Sequence, residues 1–265
     1  MKTRIISGLL MVPLLIIIYF GKIPLLLASM VIAIIGIKEF FTIFENKGIY
    51  PSKKIACVMI VLMYGIHLIS GFNTFFLLFW IVISIAISLL YGLNISNRGP
   101  YDAAITLAGL MYIPLFTYHI VMLDGTIYRS LVWMIVISAF GSDIFAYFVG
   151  SFFGKHKMAP NLSPKKSIEG AIGGVMGAGL LGMIFGLIFM NEIWYHCLII
   201  GITGGIVSEF GDLVASSFKR YMGIKDYGNL IPGHGGIMDR FDSVIFVAPA
   251  IYYYVLFVLI QINNY

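Results

Sequence analysis

Long apolar runs broken by short polar gaps are the feature that most limits what this chain can fold into. A helix crossing a bilayer needs about 20 apolar residues. The sequence supplies candidates at 5–20, 24–44, 55–70, 73–91, 103–122, 129–150, 170–190, 193–217 and 241–262. Only 11% of the residues are charged, against about a quarter in a soluble domain. The charges collect between the runs, because lipid offers an unpaired ion no partner. The expected fold is therefore all-α, a polytopic membrane protein of about nine transmembrane helices.

Charge placement orients the spans. With the N-terminus in the cytoplasm, Lys2, Arg4, Lys47, Lys53, Lys54 and Arg98 fall inside, as do Lys155, Lys157, Lys165, Lys166, Lys219, Arg220, Lys225 and Arg240. The opposite side receives Lys22 and Arg129. This is the positive-inside pattern, and an odd span count then places Tyr265 outside. The opening run resembles a signal peptide, but Gly21-Lys22-Ile23-Pro24 offers no small-residue cleavage site. It reads as an uncleaved first helix. Cys57 and Cys197 sit in apolar runs without metal-ligand spacing, and His67, His119, His156 and His196 are scattered. Trp80, Trp133 and Trp194 read as interface anchors.

The chain is expected to form one membrane domain over 1–265. Its half 1–125 has few ionisable groups within spans. The half 126–265 carries the chemistry, with polar loops at 151–169 and 218–240. In that half Glu209, Asp212, Ser216 and Lys219 recur every three or four residues, an acid–acid–hydroxyl–cation stripe on one helix face. Asp239 and Asp242, three apart, open the last run. Acids from two helix ends suit a hard cation with oxygen ligands such as Mg²⁺. Gly233-His234-Gly235-Gly236 can bring backbone N–H groups close to an anion. Lys219, Arg220, Lys225 and Arg240 offer counter-charge for several phosphates, although each taken alone reads more readily as a positive-inside anchor.

A second constellation runs from Ser142-Asp143 and Tyr147 through Gly154-Lys155 to Ser163-Pro164-Lys165-Lys166. The last four form a turn-favouring dicationic stretch, suited to a phosphate or to an anionic lipid surface. Gly173, Gly174, Gly177, Gly179, Gly182 and Gly186 mark a helix built for close packing. It can pack against a second copy, as a homodimer, as easily as within one chain.

The run Ser216-Ser217-Phe218-Lys219-Arg220, followed by Lys225-Asp226-Tyr227-Gly228 and Ile231-Pro232-Gly233-His234-Gly235-Gly236-Ile237-Met238-Asp239-Arg240-Phe241-Asp242, resembles the signature of the phosphatidate cytidylyltransferase family. Asp143, Gly154-Lys155 and Ser163-Pro164-Lys165-Lys166 are similar to that family's second block. The resemblance implies an enzyme making CDP-diacylglycerol and pyrophosphate from CTP and phosphatidate, dependent on Mg²⁺, with a monovalent cation such as K⁺ able to share the centre. It implies metal-binding by Asp212 and Asp239 with Asp242 beside them, and catalytic roles for Asp212, Asp239, Lys219 and Arg240. Asp143, Ser163, Lys165, Lys166, Ser216, Arg220, Lys225, His234, Gly235 and Gly236 are the expected substrate contacts. Membrane lipid is an expected partner and nucleic acid is not. A bacterial inner membrane, with the site at its cytoplasmic face, is the expected location. A secondary transporter would need midplane acids and internal repeats, and the sequence offers neither. Composition does not exclude a transferase acting on a polyprenyl or sugar phosphate, and only the signature argues against it.

Overall fold

The computed structural model describes residues 12–93, 98–230, 233 and 235–262. His234, residues 5–11 of the first span, and Lys2, Arg4 and Tyr265 lie outside them. The described chain is helical apart from one small hairpin: α1 (Val12–Phe20), α2 (Lys22–Glu45), α3 (Lys53–Ser70), α4 (Thr74–Tyr91), α5 (Pro100–Asp124), α6 (Val132–Phe153), β1 (Lys157–Ala159), β2 (Ser163–Ser167), α7 (Ile168–Phe189), α8 (Trp194–Tyr221) and α9 (Met238–Tyr254). A π-helical turn, Val255–Leu259, extends α9. Among the described residues eight helices are long and apolar enough to cross a membrane, matching the expected spans from the second onward. The polytopic all-α reading holds. Within the loop expected at 151–169, α6 runs on to Phe153 and β1 pairs antiparallel with β2.

The chain forms two compact units, one of residues 1–125 with 221–240 and one of 126–220 with 241–265. In the first, α2 and α5 supply the core. Phe41 and Ile37 of α2 and Leu110 and Ile113 of α5 are fully buried. Gly109 allows the contact, since a Cβ there would lie 2.2 Å from the Phe41 ring. Lipid tails are as apolar as these side chains, so close packing rather than escape from water holds such helices together. Pro100 starts α5 where its missing N–H costs nothing, and Asp102 accepts the Gly99 N–H at 2.6 Å and the Tyr50 N–H. Trp80 differs from its reading as an interface anchor. It is buried, and its indole N–H donates to the Met59 carbonyl at 2.7 Å.

In the second unit the glycine stripe is spent inside the chain. A Cβ on Gly174 would meet the Ser142 carbonyl of α6 at 2.8 Å, and one on Gly177 the Phe145 side chain at 2.1 Å. Gly182 and Gly201 do the same between α7 and α8, at 2.5 Å from the Cys197 carbonyl and 2.4 Å from the Ala178 carbonyl. Three histidines in the helices are tied locally. His67 bonds with the Tyr118 hydroxyl, His119 with the Leu115 carbonyl and His196 with the Tyr254 hydroxyl.

Candidate active site

In the second unit the two sequence constellations meet at one lysine. Lys166 projects from β2, and its Nζ lies 2.7 Å from Glu209 Oε2 and 2.7 Å from Asp212 Oδ2 on α8. Glu209 and Asp212 are three residues apart, so a helix presents them to the same neighbour. Ser142 of α6 donates to Glu209 Oε1 at 3.3 Å. Burial disfavours the lysine charge, but the carboxylates of Asp212 and Glu209 more than offset it, and the Lys166 pKa is raised above its ordinary value.

The hairpin is held from several sides. The Ser167 hydroxyl caps α7 by accepting the Gly170 N–H. Glu169 accepts the backbone N–H groups of Lys155 and His156 and bonds the His156 ring at 2.6 Å. Arg220, in the last turn of α8, donates from Nε to the Leu162 carbonyl at 3.2 Å, next to Ser163. Lys165 stays exposed and Ser163 half-buried. Arg220 thus fastens the segment that carries Ser163, Lys165 and Lys166.

Gly211 brings α9 close to α8, because a Cβ there would meet Phe246 Cβ at 2.9 Å and the Asp242 carbonyl at 3.1 Å. Asp242 is buried beside this crossing and accepts the Ser243 N–H at 2.8 Å. Asp212, Lys219 and Asp143 all act on it electrostatically. Lys219 and Ser216 are buried on α8, whereas Asp143 is exposed on α6. An apolar groove of about 320 Å³ opens beside Glu209, lined by Met158, Ile172, Val175, Met176, Ile206 and Phe210.

The first unit holds Asp239, Arg240, Lys225, Gly235 and Gly236. Asp239 Oδ2 accepts the Tyr227 N–H at 2.8 Å and the Gly236 N–H at 2.9 Å. Gly235 has a φ of +86°, and a Cβ there would lie 2.7 Å from Asp239 Oδ2. The N-terminus of α9 is capped by Glu39, which reaches from α2 to accept the Ile237 N–H at 3.0 Å and the Met238 N–H at 2.9 Å. The backbone donors of the glycine loop, expected to face an anion, are therefore engaged at Gly236, Ile237 and Met238 by the chain's own carboxylates. Lys225 is exposed in the connection before them and Arg240 half-buried.

Glu39 is the functional-looking residue that the sequence reading passed over. Its signal was present, as a lone acid in the apolar run 24–44. Among the described residues no three His, Cys, Asp or Glu side chains converge to hold a metal by themselves. Mg²⁺ needs no such cage, since one or two carboxylates plus substrate phosphates and water commonly hold it. The cluster fits a cation on its own evidence, because Asp212 already takes an ammonium group at 2.7 Å.

A model described as "Cytidylyltransferase family" matches residues 2–258. The chain is 32% identical to the phosphatidate cytidylyltransferase of Bacillus subtilis (strain 168), over 96% of this chain and 97% of that protein. Its counterpart in Staphylococcus haemolyticus (strain JCSC1435) is 36% identical over 93% and 94%. That of Synechocystis sp. (strain ATCC 27184 / PCC 6803 / Kazusa) is 31% identical over 87% of each chain.

Proposed function

This chain belongs to the cytidylyltransferase family, and from that premise we infer that it catalyses nucleotidyl transfer from CTP to phosphatidate, yielding CDP-diacylglycerol and pyrophosphate. The observation that carries the reading is the family match over residues 2–258, with relatives of the same printed activity covering nearly the whole chain. A phosphatidate phosphate oxygen attacks the α-phosphorus of CTP, and the bond to the leaving pyrophosphate breaks. The attacking oxygen is already anionic at neutral pH, so no dedicated general base is required. Catalysis then rests on in-line positioning and on neutralising a dense group of phosphates.

Asp212 and Asp239 are assigned to hold Mg²⁺, with Asp242 completing or orienting its ligands. Bound there, the ion would neutralise and align the CTP phosphates. The hydrogen bonds on Asp239 Oδ2 and the cap on α9 orient that carboxylate in advance. Lys219, Arg220 and Arg240 are assigned to the phosphates. Ser163, Lys165 and Lys166 are assigned to CTP or to the lipid phosphate, and the exposure of Lys165 on the hairpin supports this. The apolar groove beside Glu209 suits an acyl chain entering sideways from the leaflet. Since CTP is cytoplasmic and phosphatidate lies in the leaflet, the active site is assigned to the cytoplasmic face of a bacterial inner membrane.

The test is turnover by detergent-purified protein with radiolabelled CTP, phosphatidate and Mg²⁺, and controls lacking each. Lipid-soluble label requiring all three is the expected result. Its absence from folded, monodisperse protein would point to a different lipid-phosphate acceptor.

A further inference from the structure

The cluster around Lys166 has more acid than base. Glu209 and Asp212 contribute two carboxyl groups against the one ammonium group of Lys166. Lys166 is shared between Glu209 and Asp212 at equal distances of 2.7 Å. Its side chain is 20% exposed, Glu209 5% and Asp212 26%. Of the two acids, Asp212 is the more open, and it is the one assigned to the metal. Glu209 is enclosed and held by Ser142 on its other oxygen. The lysine therefore has one fixed partner and one partner with a second use.

We propose that Lys166 is a built-in counter-ion for Asp212, one that yields this carboxylate to the divalent metal, and that Glu209 is the positioning residue that keeps the displaced ammonium at the site. The proposal rests on the assignment of Asp212 to the metal. Without the lysine, Glu209 and Asp212 would face each other one helical turn apart with no cation between them, at a cost that a low-dielectric setting makes large. With the lysine and the metal both on Asp212, two cations would compete for one carboxylate. Retaining Lys166 on Glu209 resolves the conflict. It also leaves a cation beside the assigned metal ligand, where the CTP phosphates bring negative charge. Lys166 then stabilises the empty site and the loaded site in turn, with a small movement of one flexible side chain.

The experiment measures Mn²⁺ binding to the purified protein in detergent by electron paramagnetic resonance, without nucleotide, so that turnover plays no part. The informative variant is the double substitution Lys166→Met with Glu209→Gln. It removes one charge of each sign, leaves the net charge of the cluster unchanged, and frees Asp212 from its ammonium. Losing a charge-assisted bond that the metal must displace should tighten Mn²⁺ binding about tenfold. Lys166→Met alone should tighten it at least as much. Should that single variant fail to fold with its acids uncompensated, the charge-balanced double variant still decides. Asp212→Asn should lose Mn²⁺ binding. If Asp212→Asn loses it while the double variant binds as wild type does, the counter-ion proposal is overturned and the metal assignment stands. If Asp212→Asn binds as wild type does, the assignment falls and the proposal falls with it.

Discussion

Glu39 offers the sharpest test of how this fold prepares its chemistry. Its carboxylate accepts two backbone N–H groups at the start of α9, at 3.0 and 2.9 Å, one residue before Asp239. Hydrogen bonds to a charged group contribute roughly 1.5–3 kcal/mol each, and a carboxylate at a helix N-terminus adds up to about 1 kcal/mol. Because Glu39 is half-buried and the two bonds share one carboxylate, Glu39→Ala should cost about 3 kcal/mol rather than the full sum. Gly236 probes the same contact from the other side. A Cβ built there meets Glu39 and nothing nearer, at 2.4 Å from Oε2, and its φ is not left-handed. Gly236→Ala should therefore cost about 2 kcal/mol by overpacking, chiefly through Glu39, which supplies the three atoms nearest to that Cβ. In the Glu39→Ala background the methyl group has room, and its cost should fall below about 0.5 kcal/mol. Thermal unfolding in detergent of the four proteins of this cycle gives the coupling, about 1.5 kcal/mol. Equal cost of Gly236→Ala in both backgrounds would refute the assignment of Glu39 as the cap. Turnover of Glu39→Ala should drop about tenfold or more, with Glu39→Gln between it and wild type.

Asp239→Asn should abolish turnover yet leave a folded, membrane-inserted protein, because the amide oxygen can still accept the Tyr227 and Gly236 N–H groups. Near-wild-type turnover of that variant would remove Asp239 from the essential ligands. Gly211→Leu should lower stability by about 3 kcal/mol or prevent folding, since even a Cβ meets Phe246 at 2.9 Å; unfolding at the wild-type temperature would show that α8 and α9 can part there at no cost. Lys166 sets a pH window. Its folded pKa is raised, so its stabilising contribution is fully present below the ordinary lysine value of 10.5 and is lost only as pH rises through the higher folded value. Between pH 6 and about pH 9 its charge should therefore impose no slope on stability, and the lowering of the unfolding temperature by Lys166→Met should not shrink across that range, since the acids left behind only gain charge as pH rises. A difference that shrinks as pH rises from 7 to 9 would contradict the raised value.

The spans were legible because lipid imposes a length and a composition that few other folds share, and α2 to α9 follow them closely. The glycine stripe was legible for a related reason: seven glycines in the apolar run 170–190 signal backbones in contact, and Gly174, Gly177 and Gly182 meet α6 or α8 in that way. The hairpin was not legible. Ser163-Pro164-Lys165-Lys166 has no alternation of apolar and polar residues, and Pro164 lacks an N–H for a ladder, so local pattern favours a turn. What makes β2 a strand is its pairing with β1, in a hairpin braced by the Glu169 bonds to Lys155 and His156 and the Arg220 bond to Leu162.

The same distinction explains the site. Glu209 and Asp212 stood out as acids on one helix face, but spacing along α8 says nothing of the cation that joins them from 43 residues away. The glycine loop showed its donors in the sequence and hid their acceptor, since Glu39 lies 198 residues from the first N–H that it caps. Both missing partners follow one physical rule. An acid in a membrane helix must be answered by a cation or by hydrogen-bond donors, because lipid supplies neither. Applied to each acid in turn, that rule demands a partner for Glu39 and for Glu209 on the strength of their apolar surroundings alone. It leaves open only which partner, and for these two acids the fold answers differently, with backbone at Glu39 and with Lys166 at Glu209. The donors to Glu39 are fixed in the backbone at the start of α9, whereas the Lys166 ammonium can move by rotating its own side chain. The bonds at Glu39 therefore belong to the frame of α9, and Lys166 is the partner whose position a side-chain rotation alone can change.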